Sequence, residues 1–222
     1  SEEPYQIGNV DYFIQDRALN RLITEEREQK RLDSGRTYSS QKLRKERNRI
    51  SRFLQNRGFY NFSKRFIEFQ VDTSVGEHTV NVAVMVANPA DYQRHRQYEI
   101  GQVYINPSFQ MPDTAAKDTL TRGDYYFISD RNKLIIEPEA LLSKIPIEPG
   151  TLYQSDQKRR TYNRLSQLAI YKFVDVRFFN TRPTGDNKGK VDCYIQLTPD
   201  KQHILTRELE ATLTDQNDQF AA

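Results

Sequence analysis

Apolar residues along this chain follow two spacings, and the order in which the spacings appear repeats. Residues 4–14, which include Tyr5-Gln6-Ile7-Gly8-Asn9-Val10, read as an extended segment. Leu19, Leu22 and Ile23 then recur at helical spacing, with Gly35 as the break beyond them. Ser39 is placed to cap a second helix, whose Leu43, Ile50, Phe53 and Leu54 line up as one stripe. Gly58 stands where glycine commonly ends a helix. Ile67, Phe69 and Val71 alternate with Glu68, Gln70 and Asp72, the pattern of a half-buried strand. A turn around Gly76 leads to Val80, Val82, Val84 and Val86, and Pro89 closes the series.

The series then starts again. Tyr5-Gln6-Ile7-Gly8-Asn9-Val10 returns as Tyr98-Glu99-Ile100-Gly101-Gln102-Val103. Tyr60-Asn61-Phe62 returns as Tyr171-Lys172-Phe173, and Val80, Val82, Val84 and Val86 return as Val191, Cys193, Ile195 and Leu197. The second pair of matches is displaced further than the first, so the sequence reads as a duplicated domain with an insertion in the second copy. Residues 106–137 read as irregular, with a small hairpin over Tyr125–Ile136, and Pro138 fits the first position of a short helix through Lys144. A longer helix begins near Ser155 and presents Tyr162, Leu165, Leu168 and Ala169. Val174, Val176 and Phe178 alternate with Asp175 and Arg177, a loop over residues 184–190 follows, and Pro199 closes the copy.

Strand, helix, helix, strand, strand, taken twice, predicts an α+β fold of tandem β-α-α-β-β domains, each a three-stranded mixed sheet packed against two helices. The domains are expected at 1–90 and 91–200, with the insertion at about 106–150 and a tail at 201–222. A three-stranded sheet keeps two edges with unpaired N–H and C=O groups, which invite strand addition by a partner. The outer strand of each hairpin, Phe66–Val71 (Phe66, Ile67, Glu68, Phe69, Gln70, Val71) and Phe173–Phe178 (Phe173, Val174, Asp175, Val176, Arg177, Phe178), is the candidate binding site.

Composition narrows the functions. The 222 residues carry 33 basic and 30 acidic side chains, a net charge of +3, too small to predict nucleic-acid or membrane binding by itself. The single cysteine, Cys193, excludes an internal disulfide and a cysteine-based zinc site, and its inward phase makes it a small buried hydrophobe. The longest apolar run, Val82–Ala87, is far short of the ~20 residues of a membrane-crossing helix. Ser1-Glu2-Glu3-Pro4 carries no basic or apolar leader, as expected of a mature or excised piece.

Candidate chemistry is sparse. His78, His95 and His203 lack ligand spacing, and His78 falls in a hairpin turn. Gly185–Lys190 has neither the spacing nor the following helix of a phosphate loop. Glu137 and Glu139 are neighbours, but no third catalytic group accompanies them, so no enzyme, cofactor or metal is expected. Residues 36–57 hold eight bases (Arg36, Lys42, Arg44, Lys45, Arg47, Arg49, Arg52, Arg57) against one acid, Glu46. Nucleic-acid binding through this helix is the alternative function. A solvated face opposite the apolar stripe is the plainer reading, since no G-x-x-G clamp or aromatic base-stacking pair accompanies the charge.

The repeated unit, with Gly58-Phe59-Tyr60, Phe62, Ile67, Phe69 and the Val80–Val86 strand, resembles the POTRA domain, and Ile7-Gly8-Asn9-Val10 resembles its opening. The second copy matches through Tyr171, Phe173, Val174 and Val176, with Ala169-Ile170 in place of the helix-ending glycine. Arg207-Glu208-Leu209-Glu210-Ala211-Thr212 resembles the first barrel strand of Omp85-type outer-membrane proteins, with Ala211 where glycine is usual. The run Glu46–Ile50 resembles the BamA- or TamA-like branch in Bacteroidota, and Asp113-Thr114-Ala115 and Asp118-Thr119-Leu120 resemble a short O-glycosylation pattern used there. The resemblance implies a periplasmic module, attached to the outer membrane by a downstream β-barrel, that does no covalent chemistry. It implies partners that are unfolded outer-membrane clients or periplasmic or lipoprotein factors, captured by strand addition at the edges named above.

Overall fold

A computed structural model describes residues 3–26, 32–90, 94–110, 117–130, 136–181 and 188–200 and divides the chain into two units, Ser1–Gln97 and Tyr98–Ala222. In the first unit β1 (Gln6–Ile14) leads through Asp16, whose carboxylate accepts from Ala18 and Leu19 N–H, into α1 (Arg17–Glu25). Asp16 satisfies orphan donors of the first turn, the task of an N-cap. Ser39 does the same for α2 (Ser40–Gln55) by accepting from Lys42 N–H. A single 3-10 turn (Lys64–Phe66) precedes β2 (Ile67–Asp72), and a tight turn containing Gly76 and the left-handed His78 (φ 54°) returns the chain as β3 (Thr79–Val86).

The sheet order is β1-β3-β2, with β1 parallel and β2 antiparallel to β3. The last strand lies in the middle, and its Val80, Val82, Val84 and Val86 are all buried. They meet Leu19 and Ile23 of α1 and Ile50, Phe53 and Leu54 of α2 in one core. Each such side chain contributes about 1.5–3 kcal/mol by leaving water. Helix α1 stops at Glu25, well before Gly35, which instead takes a left-handed turn (φ 79°) leading to α2.

The second unit has the same centre. β4 (Tyr98–Asn106) is parallel to β8 (Gly189–Pro199), which is antiparallel to β7 (Tyr171–Thr181). α3 (Pro138–Leu142) opens on proline as expected, and α4 (Ser155–Ser166) lies against β7. Two expectations are corrected. The sheet has five strands rather than three, in the order β5-β6-β4-β8-β7, because the insertion supplies a hairpin of β5 (Lys117–Arg122) and β6 (Tyr125–Asp130) around Gly123 (φ 57°). That hairpin lies upstream of the Tyr125–Ile136 expected. β5 is an outer strand with no buried residue, so it shows no apolar alternation to read. The buried face of α4 is Gln157, Thr161 and Leu165, while Tyr162 is 49% exposed and Ala169 is exposed. Gln157 Nε2 donates to Pro146 O and Thr161 to Gln157 O, while Gln157 Oε1 is buried without a partner, so polar residues line the inner face, invisible to an apolar count.

The repeated Ile-Gly-x-Val motif has a physical meaning. Both first strands slip register after the isoleucine, between Ile7 and Val10 and between Ile100 and Val103. The bulged amides are taken up by side chains of the central strand: Asn9 N–H donates to Asn81 Oδ1 and Gln102 N–H to Asp192 Oδ1, each at 2.8 Å. A Cβ on Gly8 would lie 2.5 Å from that Asn81 oxygen, and one on Gly101 2.2 Å from that of Asp192. Gly101→Ala should therefore cost about 1–3 kcal/mol by displacing Asp192. Chemical denaturation of G101A, D192A and the double variant checks this: the double should be less destabilised than the sum of the singles.

Candidate functional site

Both expected edge segments are outer strands. β2 borders the first sheet and β7 the second. Phe66 is the exception in detail, since it ends the 3-10 turn rather than starting the strand. Its carbonyl still accepts from Ala87 N–H at 2.9 Å, and the register pairs Ile67 with Val86. The alternation of an antiparallel ladder then turns the main-chain groups of Glu68 and Gln70 toward β3 and those of Phe69 and Val71 to the open side, while Phe66 N–H donates to Ser63 O and Ile67 N–H to Lys64 O within the 3-10 turn. In β7, Phe173 is 62% and Phe179 50% exposed, while Val176 is buried and Phe178 meets Tyr153 edge-on at 5.1 Å. Asp175 pairs with Arg177 at 2.6 Å on the outer face.

At one end of the first sheet a cleft of about 340 Å³ joins its two rims, with Phe13 and Ile14 on one side, Phe66 and Glu68 on the other, and Met85 on its floor. His95 closes the chain over this region. Its N–H donates to the Asp16 carboxylate at 2.9 Å, its Nε2 meets Ala87 O at 2.9 Å, and its ring packs on Phe62 and Phe66. Burial holds its pKa below the usual histidine value, against the pull of Ala87 O and Asp16. This is a structural role, not a ligand's. Among the described residues no three His, Cys, Asp or Glu side chains are grouped to hold a metal, and Cys193 is buried, with its thiol pKa raised by that burial.

Most of the basic helix is engaged within the first unit. Arg49 pairs with Glu46 (2.8 Å) and Glu26 (3.0 Å), Arg57 lies 3.6 Å over the Phe53 ring, and Arg47 lies 5.1 Å over Phe69. Lys42 donates to Thr37 O and Arg36 meets Asp33. Arg44, Lys45 and Arg52 are the exposed remainder on the helix. The sequence shows Glu46 only as the lone acid of this run, not its burial: it is fully buried and also accepts from Tyr12 OH at 3.2 Å.

Sequence reasoning missed a row of rings on the outer face of the second sheet. Tyr126 stacks on Tyr104 (5.3 Å), Tyr104 on Tyr194 (4.7 Å), and Phe179 meets Tyr194 edge-on (5.3 Å). The row crosses four neighbouring strands, and the signal was there, since each ring occupies the phase opposite a buried residue. Beside it Arg177, Phe179, Tyr194 and Gln196 bound a cleft of about 370 Å³.

His203, residues 182–187 of the glycine-rich loop, Asp113-Thr114-Ala115 and the barrel-like Arg207–Thr212 lie outside the described residues. Asp118-Thr119-Leu120 lies in β5 with Asp118 and Thr119 exposed.

Residues 7–87 match the family model described as POTRA, surface antigen variable number repeat. In structure the chain is similar to Haemophilus influenzae BamA POTRA3-5, with TM-score 0.50 and 14% identity over 87% of this chain and 61% of that one. It is also similar to BamA from Haemophilus ducreyi lacking POTRA domains 1-3, with TM-score 0.55 and 15% identity over 88% of this chain and 30% of that one. The chain thus spans less than two thirds of either, and at these identities the likeness shows the fold. No curated protein matches it in sequence. None of these similarities supports a Bacteroidota origin.

Proposed function

Because the first unit is a POTRA domain and the second is built on the same strand–helix–helix–strand–strand frame, we propose that this chain is the periplasmic part of an Omp85-type outer-membrane protein. In this reading it is a binding module without covalent chemistry, joined to a β-barrel, that captures unfolded outer-membrane clients or partner proteins by strand addition at β2 and β7. The carrying observation is the geometry of β2. It is an outer strand whose Phe69 and Val71 direct main-chain donors and acceptors away from the sheet, while Ile67 N–H is taken by Lys64 O. Main-chain pairing gives affinity with little sequence preference, which suits a receiver of many clients.

The alternative, nucleic-acid recognition by the basic helix, is disfavoured by the internal partners of Arg47, Arg49 and Arg57.

Two prolines test the reading. Val71→Pro removes a donor that faces outward, whereas Gln70→Pro removes a ladder bond to β3. V71P should keep the fold and weaken capture of an extended barrel-strand peptide about tenfold, or 1.4 kcal/mol. Q70P should cost the fold about 3 kcal/mol or more. Fluorescence anisotropy with thermal melts separates them, and unchanged peptide affinity in folded V71P would count against β2.

A further inference from the structure

The two units differ at one place on the rim of their first strand. The early part of that rim is closed in the same way in both. Ile7 N–H donates to Arg36 O while Ile7 O accepts from Gly35 N–H, and Ile100 N–H donates to Thr151 O while Ile100 O accepts from Gly150 N–H. Beyond the bulge the units part. In the second, β6 pairs in parallel with Val103–Ile105, and Val103, Ile105 and Phe127 are all fully buried. In the first, β1 is the last strand of its sheet, and Val10 and Tyr12, the counterparts of Val103 and Ile105, are half-buried, as is Ile14. Gln15 N–H donates to Val86 O, so strand alternation turns the main-chain groups of Val10 and Ile14 away from β3. Among the described residues no backbone bond reaches them from outside the sheet. Phe13, between them in register, is 59% exposed on the outer face.

We propose that Val10–Ile14 is a second strand-acceptor site, distinct from β2 and β7, which takes an extended polypeptide segment running parallel to β1. Its occupant has the chemistry of β6: a short stretch with polar ends and a large apolar residue opposite Tyr12, as Phe127 is opposite Ile105. The insertion of the second unit supplies in cis what the first unit receives from another polypeptide. A parallel partner cannot be joined to β1 itself by a tight hairpin, since parallel strands need a long crossover, so this rim takes a segment distant in sequence or from another polypeptide.

The test adds a labelled peptide of residues 124–130, DYYFISD, to the whole chain. Saturable binding is expected. Asp11 is the counterpart of Tyr104, which pairs with Tyr126, so D11C should form a disulfide with a peptide carrying cysteine at the Tyr126 position. Gln70→Cys on β2 should not. Val10→Pro and Ile14→Pro should weaken the Asp11→Cys cross-link about tenfold, or 1.4 kcal/mol, V71P should leave that cross-link unchanged, and a peptide with alanine for Phe127 should form it about tenfold more weakly. If the prolines unfold the first unit, the Asp11→Cys cross-link decides. Absence of saturable binding, or equal cross-linking at Gln70→Cys, overturns the proposal. Loss of binding in V71P alone would assign capture to β2 instead.

Discussion

Replacing Arg49 with methionine should destabilise the first unit by about 3–5 kcal/mol, the cost of leaving one member of a buried ion pair without the other. Glu46 has no exposed surface, and the Arg49 side chain keeps 12% of its own. Burial works to lower the Arg49 pKa, but its hydrogen bonds to Glu46 and the charges of Glu46 and Glu26 outweigh this and hold it above the ordinary value. The same carboxylate accepts from Tyr12 OH, so β1, α1 and α2 meet in one charged knot. Burial and the nearby Glu46 push the Tyr12 pKa well up, which keeps the phenol a donor at any ordinary pH. The double replacement Glu46→Leu with Arg49→Met should recover most of the loss, because a packed apolar pair costs no desolvation. Urea unfolding followed by a probe in α2 measures both. If Arg49→Met alone shifts the midpoint no more than a surface substitution, the pair carries no such weight.

Phe127→Ala should cost the second unit about 3–5 kcal/mol, the usual range for emptying a buried phenylalanine site. Phe127 is fully buried on β6, opposite Ile105 in register. A decorative loop would tolerate the change within about 0.5 kcal/mol. The comparison therefore decides whether the insertion is part of the second sheet's foundation. Amide exchange at Val103 and Ile105 should quicken with it, since their outward groups pair with β6.

The elements that were legible in the sequence are those whose burial follows a single period. Val80 to Val86 and the α2 stripe each face one core, so alternation and helical spacing mark them. The open edges were legible for the same reason, since the strand after each second helix has to be an outer one once the last strand is buried on both sides. Three things escaped. β5 is an outer strand with Leu120 as its one apolar residue and none that is buried, so its partner β6 was displaced in the reading. The inner face of α4 carries the polar Gln157 and Thr161, which bond to nearby carbonyls. Glu46 looked like the lone acid in a basic run, when its charge is the reason Arg49 can turn inward. In each case burial was decided by a partner distant in sequence, and no local pattern records that.

The central position of β3 and β8 carries one more consequence. In the first unit both other strands pair with the closing strand, and in the second β4 and β7 do, with Gln6 waiting for Thr79 and Tyr98 for Gly189. Neither central parallel pair can form before the closing strand of its unit has been made. Such long-range parallel pairing slows folding, so the nascent chain stays unstructured and threadable for longest, and each unit locks only when its synthesis is complete.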